Sequence, residues 1–430
     1  MSKVMNVPEG WNLFCLKDIV DKDDRYSLTG GPFGSDLKSS DYTREGVRII
    51  QLQNIGDGEF RNKDSIYTSK LKAQELFSCQ IFPDDIIMSK MGDPVGRACL
   101  IPNIEDKFIM CSDGIRVKID RNSFDNKFIF YSINHPYFRK SIERIALGST
   151  RKRVGLVELK TLTLKIPPVK EQKKIAKILS TLDQAIEATQ KLIAKEKNIK
   201  KGLMHDLLTN GIDQNGKIRS PQTHKYKESE LGLIPEGWKV DILGNIVKIV
   251  GGGTPARNID EYWENGTIPW VTVKDLHNKL YITNSEEKIT LSSIDHSATN
   301  LIKANNVITS TRMGIGRFFI NTVDITINQD LKALIPKKGI DTIFLLWNLL
   351  YHGKKLEALG TGTTVKGILL SDLKTLKLLL PSSQEQQKIA NILTTQDKKI
   401  ETEEKNLAKL KELKKGLMND LLSGKVRVKQ

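Results

Sequence analysis

The sequence predicts an α+β fold made twice: two mixed, strand-rich bodies separated by two long antiparallel helices that pair as a coiled-coil spacer, the halves related by a pseudo-twofold axis. Residues 167–208 return without a gap as 381–422, so that Glu171-Gln172 reappears as Glu385-Gln386, an offset of 386 − 172 = 214. The block Lys200-Lys201-Gly202-Leu203-Met204 returns at the same offset as Lys414-Lys415-Gly416-Leu417-Met418. A second echo, Pro8-Glu9-Gly10-Trp11 against Pro235-Glu236-Gly237-Trp238, is spaced by 235 − 8 = 227, so the ends of each half are kept while the middles differ in length. A period this long does not suit a solenoid and fits a duplicated domain.

In the first body, 1–165, runs rich in Ile, Val and aromatics at 47–52, 85–89 and 114–119 lie between Gly, Asn, Asp and Pro clusters, as strands joined by loops do. The first helix, 166–212, opens after Pro167-Pro168. It carries Ile175, Leu179, Leu182, Ile186 and Ile193, with Thr189 in phase, at the alternating steps of four and three that a coiled-coil seam requires. About forty residues at 1.5 Å each give a rod of roughly 60 Å. So narrow a seam needs a partner helix, and the other copy is the nearest. Residues 213–234 are polar and read as a linker. The second body, 235–379, repeats the strand pattern at 268–273, 306–310 and 330–335. The second helix, 380–425, keeps the phase with Ile389, Leu393, Ile400, Leu407, Leu410 and Leu417, and 426–430 form a tail. Echoes persist inside the bodies, Val95-Gly96-Arg97 against Ile315-Gly316-Arg317 and Gly148-Ser149-Thr150 against Gly362-Thr363-Thr364. Trp11 and Trp238 are expected to anchor the two cores.

Lys and Arg outnumber Asp and Glu by 67 to 51, a net charge of +16 that suits a polyanion and makes nucleic acid the leading partner. The four cysteines, Cys15, Cys79, Cys99 and Cys111, all lie in the first half without a Cys-x-x-Cys pair. A disulfide framework or zinc site would have been duplicated with the rest, so reduced thiols in a cytoplasmic protein are expected. No signal peptide or membrane span is legible. Enzyme motifs are missing too. There is no Gly-x-x-x-x-Gly-Lys-Ser/Thr phosphate loop and no Asn/Asp-Pro-Pro-aromatic methyltransferase signature, and Gly251-Gly252-Gly253 runs into Thr254-Pro255 where a cofactor-binding helix would have to open. Asp84, Glu105 and Lys107 imitate the spacing of a metal-dependent nuclease, but the second body has no counterpart. Catalysis is therefore expected from another chain, with no cofactor or metal in this one. A self-sufficient nuclease or methyltransferase would need those motifs, and a purely structural adaptor would leave the basic, diverged bodies unexplained.

The order of variable body, repeated helix, variable body, repeated helix resembles the specificity subunit of type I restriction-modification systems. The residues that carry the likeness are Glu-Gln-x-Lys-Ile-Ala at 171–176 and 385–390, the Lys-Lys-Gly-Leu-Met blocks, the Pro-Glu-Gly-Trp starts, and Gly252-Gly253-Thr254-Pro255 with Ile268-Pro269-Trp270-Val271. The resemblance implies two target recognition domains, each reading half of a split, asymmetric site on double-stranded DNA, held apart by the helices. It further implies two methyltransferase subunits and motor-nuclease subunits as partners, using S-adenosylmethionine, ATP and Mg to methylate adenine and to cleave. A related methyltransferase-nuclease system without the motor subunit is the alternative.

Contacts to DNA are expected from basic and amide side chains on loops at matched places. Arg151-Lys152-Arg153 follow the shared Gly-Ser-Thr, and Lys366 keeps the place of Lys152; these suit phosphates, where Lys and Arg act through counterion release. Lys90, Arg97, Arg312 and Arg317 flank a shared strand and suit phosphate or guanine edges. Gln51, Gln53 and Asn54, with Lys274 and Asp275 in the second body, are expected base readers, because amides pair with adenine and acids accept from cytosine. Thr254 and Arg257, just after the glycine turn, are further expected DNA contacts. Gln172 and Gln386, with the seam residues Ile175, Leu179, Leu182, Ile186, Ile193, Ile389, Leu393, Ile400 and Leu407, are expected to form the spacer and the surface on which partners dock.

Overall fold

The computed structural model describes residues 7–148, 151–276, 280–360 and 367–428, and it divides into two compact units, Met1–Gln190 with Lys405–Gln430, and Lys191–Glu404. Both boundaries fall inside long helices, so each unit holds one body and a stretch of each helix. In the first unit an antiparallel sheet runs Leu28–Gly30, Gly114–Val117, Ile86–Ser89, Ala98–Leu100, and a mixed sheet runs Tyr42–Thr43, Ile66–Thr68, Val47–Ile50, Phe108–Met110, Gln80–Ile81. In the second unit one sheet runs Val247–Gly251, Leu331–Pro336, Val307–Ser310, Phe318–Asn321, Tyr281–Ile282, and the other Glu287–Ile289, Ile268–Val271, Ile325–Ile327, Leu301–Ile302. All six runs read as strands contribute one. Val47–Ile50 lies parallel to Phe108–Met110, as Ile268–Val271 does to Ile325–Ile327. Every residue of Val47–Ile50, Ile86–Ser89 and Ile325–Ile327 is buried, the polar Arg48, Ser89 and Thr326 included, as in strands covered on both faces. The two sheets of each body share a core, Ile50 and Phe108 meeting Ile87 in the first and Val271 and Ile327 meeting Ile308 in the second.

A short antiparallel ribbon carries each body into its helix: Asn12–Cys15 with Thr163–Ile166, and Lys239–Ile242 with Lys377–Leu380. Prolines follow, where the missing N–H costs a helix nothing, and the helices Val169–Thr209 and Ser383–Leu422 begin. Gln172 and Gln386 lie in the first turns at 1% and 2% exposure. The Gln172 amide donates to the Pro167 carbonyl at 2.8 Å and accepts from the Asp125 N–H at 2.8 Å; Gln386 does the same with Pro381 at 3.0 Å and Asp341 at 2.9 Å. Asp125 and Asp341 in turn cap the helices Asn126–Asn134 and Thr342–Leu359. The glutamines thus lock helix to body and are not open to a partner subunit. Ile175, Leu179, Ile389 and Leu393, each fully buried, are likewise internal: the first two pack in the core that holds Trp11 and Phe128, the last two with Trp238 and Trp347. Ile193 and Ile400 are 6% and 5% exposed, while Leu182, Ile186 and Leu407 are half-buried.

The neighbouring glutamates act as clasps. Glu171 accepts from Arg427 Nε and Nη2 at 2.8 and 2.9 Å, and Glu385 accepts from the Arg219 guanidinium and from the Trp238 indole N–H at 3.2 Å. Removing either arginine would leave a buried glutamate without its counter-charge. Gly211 sits among these groups at φ +66°, and a Cβ there would lie 2.2 Å from Glu385 Oε1 and 2.3 Å from the Trp238 ring, so no other residue fits. The stretch read as a linker is therefore structured: Ile212 bridges Ile218 over a turn in which Asp213 Oδ1 accepts from the N–H groups of Asn215 and Lys217, and Tyr226–Ser229 pairs with Gly232–Pro235. Its polar composition concealed this because few of its side chains, Ile234 among them, need to be buried.

Within each unit the helix segments run antiparallel. In the first, Lys414 bonds Asp183 and stands over the Tyr131 ring at 5.8 Å; in the second, Lys200 bonds Asp397 and stands over the Trp347 ring at 4.6 Å. Both ion pairs repeat at the offset of 214 (414 − 200; 397 − 183). One feature of the second unit has no twin. Glu196, 5% exposed, accepts from Gln396 Nε2 and Lys399 Nζ at 2.7 Å each, whereas the matching positions in the first unit are Leu410, Leu182 and Ala185.

Candidate nucleic-acid interface

The loops at one end of the first body converge on residues 111–114. Cys111 N–H donates to Ile50 O at 2.9 Å, Lys90 N–H to Asp113 O at 2.6 Å, and Gly31 N–H to Gly114 O at 2.8 Å. A second hairpin closes over them: Leu147 and Arg153 exchange backbone bonds at 2.8 Å each, and Val154 N–H donates to Lys90 O at 2.9 Å. The second body builds the same frame. Asn328 N–H donates to Val271 O at 3.0 Å, Thr311 N–H to Asp330 O at 3.0 Å, and Ile368 N–H to Thr311 O at 3.0 Å. Lys90 thus stands where Thr311 stands, Asp113 where Asp330 stands, and Arg153 where Gly367 stands, since Met91 bridges Arg153 as Arg312 bridges Gly367.

This frame gathers most of the basic residues singled out above. Arg151 and Lys152 are exposed and make no ion pair among the described residues, while Arg153 donates to Asp113 Oδ1 at 2.6 Å. Arg97 lies at the base of the loop from Lys90, its carbonyl accepting from Ser89 N–H at 2.7 Å, with its own Nε buried and unpartnered. In the second unit Arg312, Gln329, Asp330, Lys332 and Leu369 line an open cleft of about 670 Å³. Thr254 closes its edge by donating to Gln329 Oε1 at 2.8 Å, and Arg312 approaches Asp330 at 3.9 Å. Burial holds the Lys332 ammonium below its usual pKa, and the Arg312 charge adds to the effect. Arg317 is exposed on the same loop. Lys366 lies outside the described residues.

Two residues expected to read bases are spent internally. Asn54 is 1% exposed; its Oδ1 accepts from Gln51 N–H at 2.9 Å and its Nδ2 donates to the carbonyls of Arg61 and Lys63 at 3.0 and 2.8 Å. Asp275 holds the matching turn: Oδ2 accepts from Thr272 N–H and Oγ1 at 2.7 and 2.9 Å, and Oδ1 from Glu286 N–H at 2.8 Å. Both close a single 3-10 turn, Leu52–Asn54 or Val273–Asp275, whose middle residue, Gln53 or Lys274, is left exposed. Gln51, half-buried, accepts from the Gln53 amide at 3.0 Å. Arg257 lies 3.8 Å over Trp263 and 4.9 Å over Trp270, with both Nη atoms on the Glu287 carboxylate. Stacking and pairing make it a brace for the glycine turn. Sequence reading missed Asp113, Gln329 and Lys332, whose signal is their place just before or within a shared strand.

The surface offers cations, amides and hydroxyls, a donor set for a polyanion. Among the described residues no cluster of His, Cys, Asp and Glu could hold a metal ion, and no helix is long and apolar enough to cross a membrane. All four cysteines are free, and burial pushes the Cys99 and Cys111 thiols up to about 12 and about 11, far from the reactive thiolate.

A family model described as the type I restriction modification DNA specificity domain matches residues 8–197 and again 235–412. The MjaX type I restriction enzyme specificity subunit of Methanocaldococcus jannaschii is 27% identical over 441 residues, covering 100% of this chain and 96% of that one. The EcoR124I/EcoR124II specificity subunit of Escherichia coli is 36% identical over 185 residues, 41% of this chain and 45% of that one. The crystal structure of the type I restriction-modification system S subunit from M. genitalium shares the fold, with a TM-score of 0.60 at 19% identity over 98% of both chains.

Proposed function

This chain belongs to the type I restriction modification DNA specificity family, and we propose that it reads an asymmetric, two-part DNA sequence, one half with each unit, and so directs partner subunits to it. Specificity subunits of this kind are the non-catalytic, DNA-recognising components of their complexes. The partners proposed are two methyltransferase subunits, seated on the helices and supplied with S-adenosylmethionine, and motor-nuclease subunits that use ATP and Mg. The observation that carries the reading is the frame common to both bodies with its side chains exchanged. Lys90 against Thr311, Arg153 against Gly367 and Gln53 against Lys274 put different chemistry on one scaffold, as two different half-sites require. Duplex backbone has twofold symmetry, so duplicated readers can address it at two places while reading unlike bases.

Mapping methylated adenines in a genome where the chain is expressed with its methyltransferase partner tests this directly. The expected motif has two unequal halves around a gap of fixed length. A contiguous or palindromic motif would overturn the two-reader assignment.

A further inference from the structure

Four large apolar side chains stand out from the loops of the two readers. Phe33 and Leu147 in the first unit are 81% and 79% exposed, and Met313 and Leu369 in the second are 61% and 67% exposed. Isolated exposed apolar residues are ordinary on any surface. These are not scattered, for each sits on the convergent end that carries the cations. Phe33 lies two residues after Gly31, whose N–H bonds Gly114 O and whose hypothetical Cβ would lie 1.8 Å from Cys111 O, so the loop is pressed against the segment that carries Asp113, the partner of Arg153. Leu147 is the backbone partner of Arg153. Met313, at φ +53°, directly follows Arg312, and Leu369 lines the cleft with Arg312 and Lys332. Nor are they inherited packing: in the shared frame Met313 faces the place of Gly92, and Leu369 the place of Gly155 (369 − 214).

We propose, on the footing of the DNA-reading function above, that Phe33 and Leu147 in one unit and Met313 and Leu369 in the other are wedges that enter the duplex beside each half-site and partly unstack a base step. Phe, Leu and Met are the side chains used for such insertion, and adjacent cations hold the phosphates on either side. The half-sites are then selected by how readily their steps open as well as by hydrogen bonding, so each reader favours a flexible pyrimidine-purine step at the wedge position.

The test uses the complex assembled with its methyltransferase subunits and duplexes bearing the mapped motif, with 2-aminopurine beside, never in place of, the adenine that is methylated. Wild-type complex is expected to raise fluorescence at a step in each half-site. Phe33→Ala with Leu147→Ala should abolish the rise in one half only, Met313→Ala with Leu369→Ala in the other only, each weakening binding by about 10- to 100-fold at an unchanged salt slope. Because the four side chains are exposed, melting temperatures should not move, which separates the effect from misfolding. Tight binding without any rise, or a rise that survives both double variants, would overturn the wedges while leaving DNA reading intact. Loss of the methyltransferase subunits from either variant would reassign the patch to a protein contact. Failure of the wild-type complex to bind any duplex would instead remove the underlying function.

Discussion

Arg153 and Arg257 carry the same charge in different company. Arg153 meets one carboxylate from a position beside the exposed Arg151 and Lys152, whereas Arg257 is held between two indoles and a carboxylate. Replacing Arg151, Lys152 and Arg153 with Ala is expected to lower the salt slope of DNA binding by the assembled complex by about one per lost phosphate contact. Arg257→Ala should leave that slope unchanged and destabilise the second unit by about 1–2 kcal/mol in denaturant titrations. An unchanged slope in the triple variant would remove the hairpin from the interface. The basic loops were legible as loops because their Lys and Arg stand beside short stretches shared by the two halves, Val95-Gly96-Arg97 and Ile315-Gly316-Arg317 among them. Asn54 and Asp275 turn inward because the residue types that read bases also close turns, and only the position of a backbone N–H separates the uses.

Helices announce themselves by period, and both long ones lie where the seam put them. What the seam could not show is the depth at which each position sits. Gln172 and Gln386 were read as docking residues because they recur, yet they recur because each body needs the same lock at its helix start. Glu196 was hidden for the opposite reason, as a polar residue in one copy where the other has Leu410. Hydrogen bonds from Lys399 and Gln396 hold its carboxyl below the ordinary 4.5. A group whose pKa is lowered in the folded state adds stability above its unfolded pKa and loses it as pH falls through the folded one. Between neutral pH and about 4.5 the contribution is therefore intact, and it disappears below. Glu196→Gln is expected to flatten the fall of melting temperature with pH in that acid window, and wild-type steepness in the variant would show that the network does not stabilise the helix pair.

For the whole molecule, the duplication was visible as an offset of 214, and with it the pairing of unlike bodies. If the helices set the distance between readers, deleting one heptad from the middle of each shortens the spacer by about 10 Å, close to three base pairs. The gap in the methylated motif should shrink to match; a gap that stayed the same would mean that the helices do not measure it. How the chain divides into units was not legible, because compactness depends on which distant segments meet. Residues 191–404 form one unit without interruption, while the other joins 1–190 to 405–430 and is fastened by Arg427 on Glu171. On the ribosome that difference becomes a schedule. At about 5–20 residues per second, the 214 residues from Lys191 to Glu404 keep the first unit waiting for roughly 10–40 s, and by the end of that time the later unit has all its residues. The half that is made first is finished last.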